Sequence, residues 1–177
     1  MSTAVALPAG TWVLDPARAV VEFSGRVSRL APTFRAGFRS VAGVVEVARS
    51  AQLAVQVDVT SVTTGNSAWD DILKTLDPFD ATRCPLATYR GQADLAVDDR
   101  AHVAGNLELR GVCRPLSLLA ELTPTGDEVV VRATGTVDRH AFGVRFDLPG
   151  LGRFVPSQLR LDIEVTAVRA PRIPEPR

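Results

Sequence analysis

Asp138, Arg139 and His140 stand together in the run VDRHAFG, and they are the most reactive-looking group in this chain of 177 residues. An imidazole beside a carboxylate can work as a general base. Such a pair needs a nucleophile or a bond to attack, and none is recognisable nearby, so a turn or strand-end histidine is the plainer reading. A thiol dyad of Cys113 and His140 would require the fold to join two distant segments. His102 falls on the polar side of its segment and reads as solvated. Asp70 and Asp71 could ligate a cation, yet their place in the first turn of a helix accounts for them through the helix dipole. Arg139 and Arg145 could meet a phosphate or stand as exposed strand-end cations. There is no phosphate-cradling glycine loop, no zinc-type Cys/His spacing and no G-x-S-x-G elbow. The expectation is a protein with no catalytic residue, no metal and no cofactor.

Composition narrows the classes further. Hydrophobic residues make up 46% and charged residues 23% of the chain, a globular balance. Twenty basic and 20 acidic residues leave a formal net charge of zero, which offers no general attraction to nucleic acid. Lys74 is the only lysine. Codon bias explains that; anion recognition by guanidinium groups would need them clustered on one face. The opening MSTAVALPAGTW lacks a charged n-region, and Pro8 and Gly10 break its apolar run, so it does not read as a secretory signal. No stretch approaches the ~20 apolar residues of a membrane span. A cytoplasmic protein without stable membrane insertion is expected, with Cys84 and Cys113 as free thiols.

The elements that must carry any chemistry are strands. In LAVQVDVTS, Leu53, Val55, Val57 and Val59 alternate with Ala54, Gln56, Asp58 and Thr60, one dry face against one wet face. The same alternation runs through AVVEFSGRV, through Ala87–Leu95, through Val103–Arg110, through Leu116–Leu122, through Val129–Val137 and through Gln158–Val165. RAGFRSVAGVVEVA reads as one further strand with bends at Gly37 and Gly43. Turn signals lie at Asp98–Asp99, around Gly126 and in LPGLG from Leu148 to Gly152. Short strands with tight turns predict an antiparallel meander, and closure into a barrel removes its edges. About eight strands enclose either packed side chains or one small ligand. One segment breaks the pattern. Trp69, Ile72, Leu73, Leu76 and Phe79 fall at helical spacing, Ser67 is an N-cap candidate, and Asp77 before Pro78 ends the helix. A short helix over residues 67–76 is expected to cross one barrel end with its aromatic stripe inward.

Four segments resemble the YceI-like, polyisoprenoid-binding family, in that family's order: GTWVLDPARAVVEFSGRV, VTSVTTGNSAWDDILKTLDPFDATRCPLATYR, GNLELRGVCRPLSL and GTVDRHAFGVRF. The resemblance covers roughly Gly10 to Ala170. It implies an all-β, lipocalin-like antiparallel barrel with a helical segment, holding a long isoprenoid or similar amphiphilic lipid. In other members it implies a periplasmic location, and it allows a homodimer. Where those members commonly carry a histidine, this chain has Arg18-Ala19 and Ile72. Residues 1–170 are expected to form one domain and 171–177 a flexible tail. The expected ligand-binding residues are Phe23, Phe38, Val55, Val57, Val59, Trp69, Ile72, Leu76, Phe79, Tyr89, Leu107, Leu109 and Phe142. Strand parity chose most of them, and Trp69 is expected to matter more for affinity than for stability. The expected function is a carrier or sequestering protein for such a lipid. An interaction module with a filled core, and a lipid-modifying enzyme using His140, are the alternatives.

Overall fold

The computed structural model describes residues 7–94, 99–147, 149 and 153–171. Within them, alternating runs become strands β1 (Gly10–Gly25), β2 (Phe34–Phe38), β3 (Val41–Val47), β4 (Ala51–Asp58), β5 (Val62–Thr63), β6 (Leu86–Asp94), β7 (Arg100–Leu109), β8 (Val112–Thr125), β9 (Glu128–Asp138) and β10 (Gln158–Arg169). Eight of them close an antiparallel barrel in the order β1-β3-β4-β6-β7-β8-β9-β10, with β10 returning to pair with β1. The short β2 continues the same sheet along the second half of β1, where it brings Phe38 to the interior, and β5 pairs with β2. Expected features at Leu95, Asp98 and most of Leu148–Gly152, and the tail beyond Pro171, lie outside the described residues.

Two local features shape the wall. The pairing of β1 with β10 shifts between Leu14 and Ala19, where Asp15 accepts from the Ala17 N–H and from Arg18 Nε, and Arg18 forks onto Glu128 at 2.8 Å. Opposite this bulge the expected strand RAGFRSVAGVVEVA divides into β2 and β3 at Arg39–Ser40. The two N–H groups freed there donate to Ser61 Oγ at 3.1 and 3.0 Å. Gly37 and Gly43 are therefore not the bends. Gly43 serves close approach instead: a Cβ there would sit 2.8 Å from the Ala54 carbonyl oxygen and 2.9 Å from Leu14 Cδ1.

The single α-helix among the described residues, α1, spans Ser67–Leu76. Its N-cap is Asn66 and not Ser67, because Asn66 Oδ1 accepts from the N–H groups of Ala68 and Trp69. Asp70 latches the helix to the end of β5. Its carboxylate accepts from the Thr63 hydroxyl at 2.7 Å, and from the Thr64 N–H and hydroxyl at 2.7 and 2.8 Å. Asp77 ends the helix in the left-handed region at φ 45°. Its carboxylate then holds the next turn through the Ala81 N–H and the Thr82 hydroxyl, which aims Phe79 inward.

The Thr64 N–H, followed by the Thr63 and Thr64 hydroxyls, holds the Asp70 carboxyl below its ordinary range. A folded-state value below the unfolded one (about 3.9) means that the latch stabilises fully above the unfolded value and is lost as pH falls through the folded one. Thermal melts from neutral to acid pH should therefore show a loss of stability that is shallower in Asp70→Asn, a variant already weaker at neutral pH. Identical acid dependence in both proteins would rule the latch out.

Candidate functional site

The inward rows of all eight barrel strands surround a cavity of about 230 Å³. Its walls are Leu14, Val21 and Phe23 from β1, Val41 and Val45 from β3, Leu53, Val55 and Val57 from β4, and Ala87, Tyr89 and Ala93 from β6. Ala101, Val103, Leu107 and Leu109 come from β7, and Leu116, Leu118, Ala120 and Leu122 from β8. Val129, Val131, Ala133 and Val137 come from β9, and Leu159, Leu161, Ile163, Val165 and Ala167 from β10. Strand register explains where the space lies. Ala101 pairs with Ala120, and Ala120 with Ala133, so three adjacent strands present methyl groups side by side. Ala51 faces Ala93 in the same way. Large side chains gather at the ends. Leu7 and Trp12 close one end, and the Trp12 indole N–H donates to the Pro8 carbonyl. At the other end Phe23, Phe38 and Phe79 meet with ring centroids 5.3–6.0 Å apart, and Phe34 and Phe146 extend the group.

Two polar side chains reach this lining, and both are engaged within the wall. Tyr89 lies over the glycine pair Gly91–Gly105, where an added Cβ would meet its ring at 2.8 or 2.7 Å. Its hydroxyl crosses to the Leu116 carbonyl at 2.9 Å, and burial pushes its pKa up. Arg139 sits in the 3₁₀ turn Arg139–Phe142, which packs against β8. There β8 and β9 part company: their pairing stops at Leu119–Thr134, although β9 continues beside β10 to Asp138. Arg139 is 8% exposed. Its guanidinium donates to the carbonyls of Pro156, Val144 and Val155, each at 2.9 Å, and stands 5.4 Å from the centre of the Phe146 ring. The expected exposed strand-end cation is therefore a buried clamp. Arg145 is exposed, as that reading has it.

Of the sequence-derived candidates, the lining includes Phe23, Phe38, Val55, Val57, Phe79, Tyr89, Leu107, Leu109 and Phe142. Four lie elsewhere. Val59 is buried but belongs to the 3₁₀ turn Val59–Ser61, where strand parity has ended. Trp69, Ile72 and Leu76 flank the one buried helical side chain, Leu73, and Trp69 is 46% exposed. The aromatic stripe thus faces outward at Trp69, and the turn after the helix supplies the inward ring, Phe79. Residues missing from the sequence-derived set include Trp12 and Leu14, which alternate in GTWVLD, and Val144 and Phe146, which alternate across Arg145. The possible general base resolves differently too. The Asp138 carboxylate accepts from the His140 backbone N–H at 2.9 Å and caps the 3₁₀ turn. Among the described residues no group of His, Cys, Asp and Glu is arranged to hold a metal ion, and no helix is long and apolar enough to cross a membrane.

A closed eight-stranded antiparallel barrel around an apolar cavity defines the class of this molecule. The chain belongs to the YceI-like domain family, whose sequence profile matches residues 12–167. It is similar to Protein YceI of Shigella flexneri, 29% identical over 100 residues that cover 53% of this chain and 52% of that protein. It is also similar to a UPF0312 protein of Pseudomonas aeruginosa strain LESB58, 28% identical over 103 residues covering 55% and 54%. The aligned stretch is thus about half the length of these curated relatives. Among solved structures, BcnA of Burkholderia cenocepacia superposes with a TM-score of 0.76 at 19% identity, over 88% of this chain and 99% of that one. A domain from Saccharophagus degradans, described as polyisoprenoid binding and implicated in plant cell wall breakdown, superposes with a TM-score of 0.70 at 16% identity, over 92% and 100%. At these identities the likeness is one of fold.

Proposed function

We propose that the barrel binds the apolar chain of an isoprenoid or similar amphiphilic lipid, as a carrier or sequestering protein. The observation that carries this reading is the cavity lining: apolar on every strand, with the Tyr89 hydroxyl and three Arg139 donors already on backbone carbonyls. Such a site selects hydrocarbon length and shape over hydrogen-bonding groups. Burial of a methylene is worth about 0.8 kcal/mol, so ten buried carbons supply about 8 kcal/mol before the costs of association. The description of the Saccharophagus degradans domain as polyisoprenoid binding supports the same ligand class.

The two tryptophans make the test direct, since Trp12 lines the cavity and Trp69 does not. In Trp69→Ala the remaining indole reports on the interior. Titration with farnesol and longer prenols should give a saturable change in Trp12 fluorescence. Prenol affinity measured calorimetrically should stay within about twofold of that of the unsubstituted protein, a change of only ~0.4 kcal/mol. A flat Trp12 signal with every prenol would overturn the proposal. A tenfold loss of affinity would return Trp69 to the site.

A further inference from the structure

The barrel end that holds Phe23 carries two loops unlike the rest of the surface. Residues 26–33 join β1 to β2, and residues 153–157 lead into β10. The two are neighbours, because Pro156 packs so closely on Gly25 that a Cβ there would stand 2.6 Å from its Cγ. Leu30 is 98% exposed, and Val27 and Phe154 are half exposed. The same region is basic. Between Arg26 and Ser40 the chain has Arg26, Arg29, Arg35 and Arg39 and no carboxylate, and Arg153 stands in the second loop. Among the described residues only Arg39 of these five is ion-paired, to Glu22 at 3.8 Å. On the barrel wall, by contrast, Arg18, Arg132 and Arg160 each hold a carboxylate at 3.0 Å or less. Asp71, Glu108 and Asp147 are exposed at the same end, where Asp58, Asp70, Asp77 and Asp138 are engaged as caps and latches and Asp80 pairs with Arg83, so the guanidinium excess is local to the two loops. The opposite end exposes Glu46, Asp94, Asp99 and Asp127 beside Arg49 and Arg100. In a chain of zero net charge, the two loops therefore gather guanidinium groups, most of them without an ion pair among the described residues.

We propose that this basic, apolar-tipped end is a docking surface for an anionic lipid bilayer. Guanidinium groups stay with phosphate headgroups while their neighbouring apolar side chains enter the interface, and the two contributions add. Trp69, exposed on α1 at the same end, suits the headgroup level that tryptophan favours. A soluble polyanion would engage the arginines but leave Val27, Leu30 and Phe154 without a role, which favours the membrane. The docking surface does not depend on which ligand the cavity takes.

Co-sedimentation with vesicles of phosphatidylcholine, with and without phosphatidylglycerol, tests it. Binding should require phosphatidylglycerol and weaken with salt. Leu30→Asp should lower partitioning about tenfold, and Arg26→Glu with Arg29→Glu about fivefold or more per residue. Arg49→Glu at the opposite end should change nothing. The Trp12 titration should be the same in all these variants, so that failed docking and failed cavity binding are read separately. Absence of binding to phosphatidylglycerol vesicles at low salt would overturn the proposal, as would binding that Leu30→Asp leaves intact. Retention on heparin without vesicle binding would assign the arginines to a soluble polyanion and overturn it equally.

Discussion

Leucine in place of Arg139 is expected to lower the free energy of unfolding by about 3–5 kcal/mol. The guanidinium is buried beneath the aromatic end of the cavity, and burial pulls its pKa down while the carboxylates of Asp138 and Asp147 push it back up. Arginine stays charged under these conditions. Its hydrogen bonds go to backbone carbonyls, and those of Val144 and Val155 accept in a buried setting. Leucine would fill much of the volume and leave these acceptors unpaired, each at a cost of roughly 1–3 kcal/mol. The carbonyl of Pro156 is only part-buried and contributes less. Lysine should restore little, because a single ammonium cannot reproduce three directed N–H bonds. Urea unfolding measures the effect. A loss below about 1 kcal/mol in Arg139→Leu would show that the clamp does not hold the turn Arg139–Phe142 against the segment 144–156.

Phenylalanine at Ala120 is expected to abolish uptake of prenols while changing stability by less than about 1.5 kcal/mol. Ala120 lies between Ala101 and Ala133 on the cavity wall, so a ring there would project over two neighbouring methyl groups into the space a ligand would fill. The stability term is what distinguishes a cavity from a filled core. In a packed interior the added ring would force off-rotamer side chains and cost roughly 1–3 kcal/mol or more. In a cavity it buries apolar surface and costs little. Denaturation and prenol titration of the same protein give both numbers. Intact binding in Ala120→Phe would place the ligand elsewhere.

The strands were legible because alternation is a local property. Val55 and Val57, Tyr89, Leu107 and Leu109 all reach the cavity from parity alone, since each sits in a strand with one dry face. Parity fails where the backbone stops being extended, and Val59 is lost to the lining one residue past the end of β4. Helical spacing defines a stripe but not which edge of the stripe meets the barrel. That is decided by the Asn66 cap and the Asp70 latch, which orient α1 so that Leu73 is buried and Trp69 is not. Arg139 was misread because its acceptors, Val144, Val155 and Pro156, come from a connection with no regular pattern. The grouping of arginines at one end was equally hidden. Arg26, Arg29 and Arg35 are close in sequence, but Arg153 joins them only through the packing of Pro156 on Gly25.

Native mass spectrometry of the purified protein, followed by solvent extraction and identification of any bound lipid, tests the central claim most directly. The proposed function predicts a discrete adduct that extracts as a prenyl lipid or, from an apo preparation, a one-to-one complex once a polyprenol is added, absent in Ala120→Phe. An apo mass that no added polyisoprenoid shifts would contradict it, and the barrel would then stand as an interaction scaffold or as an enzyme for another substrate.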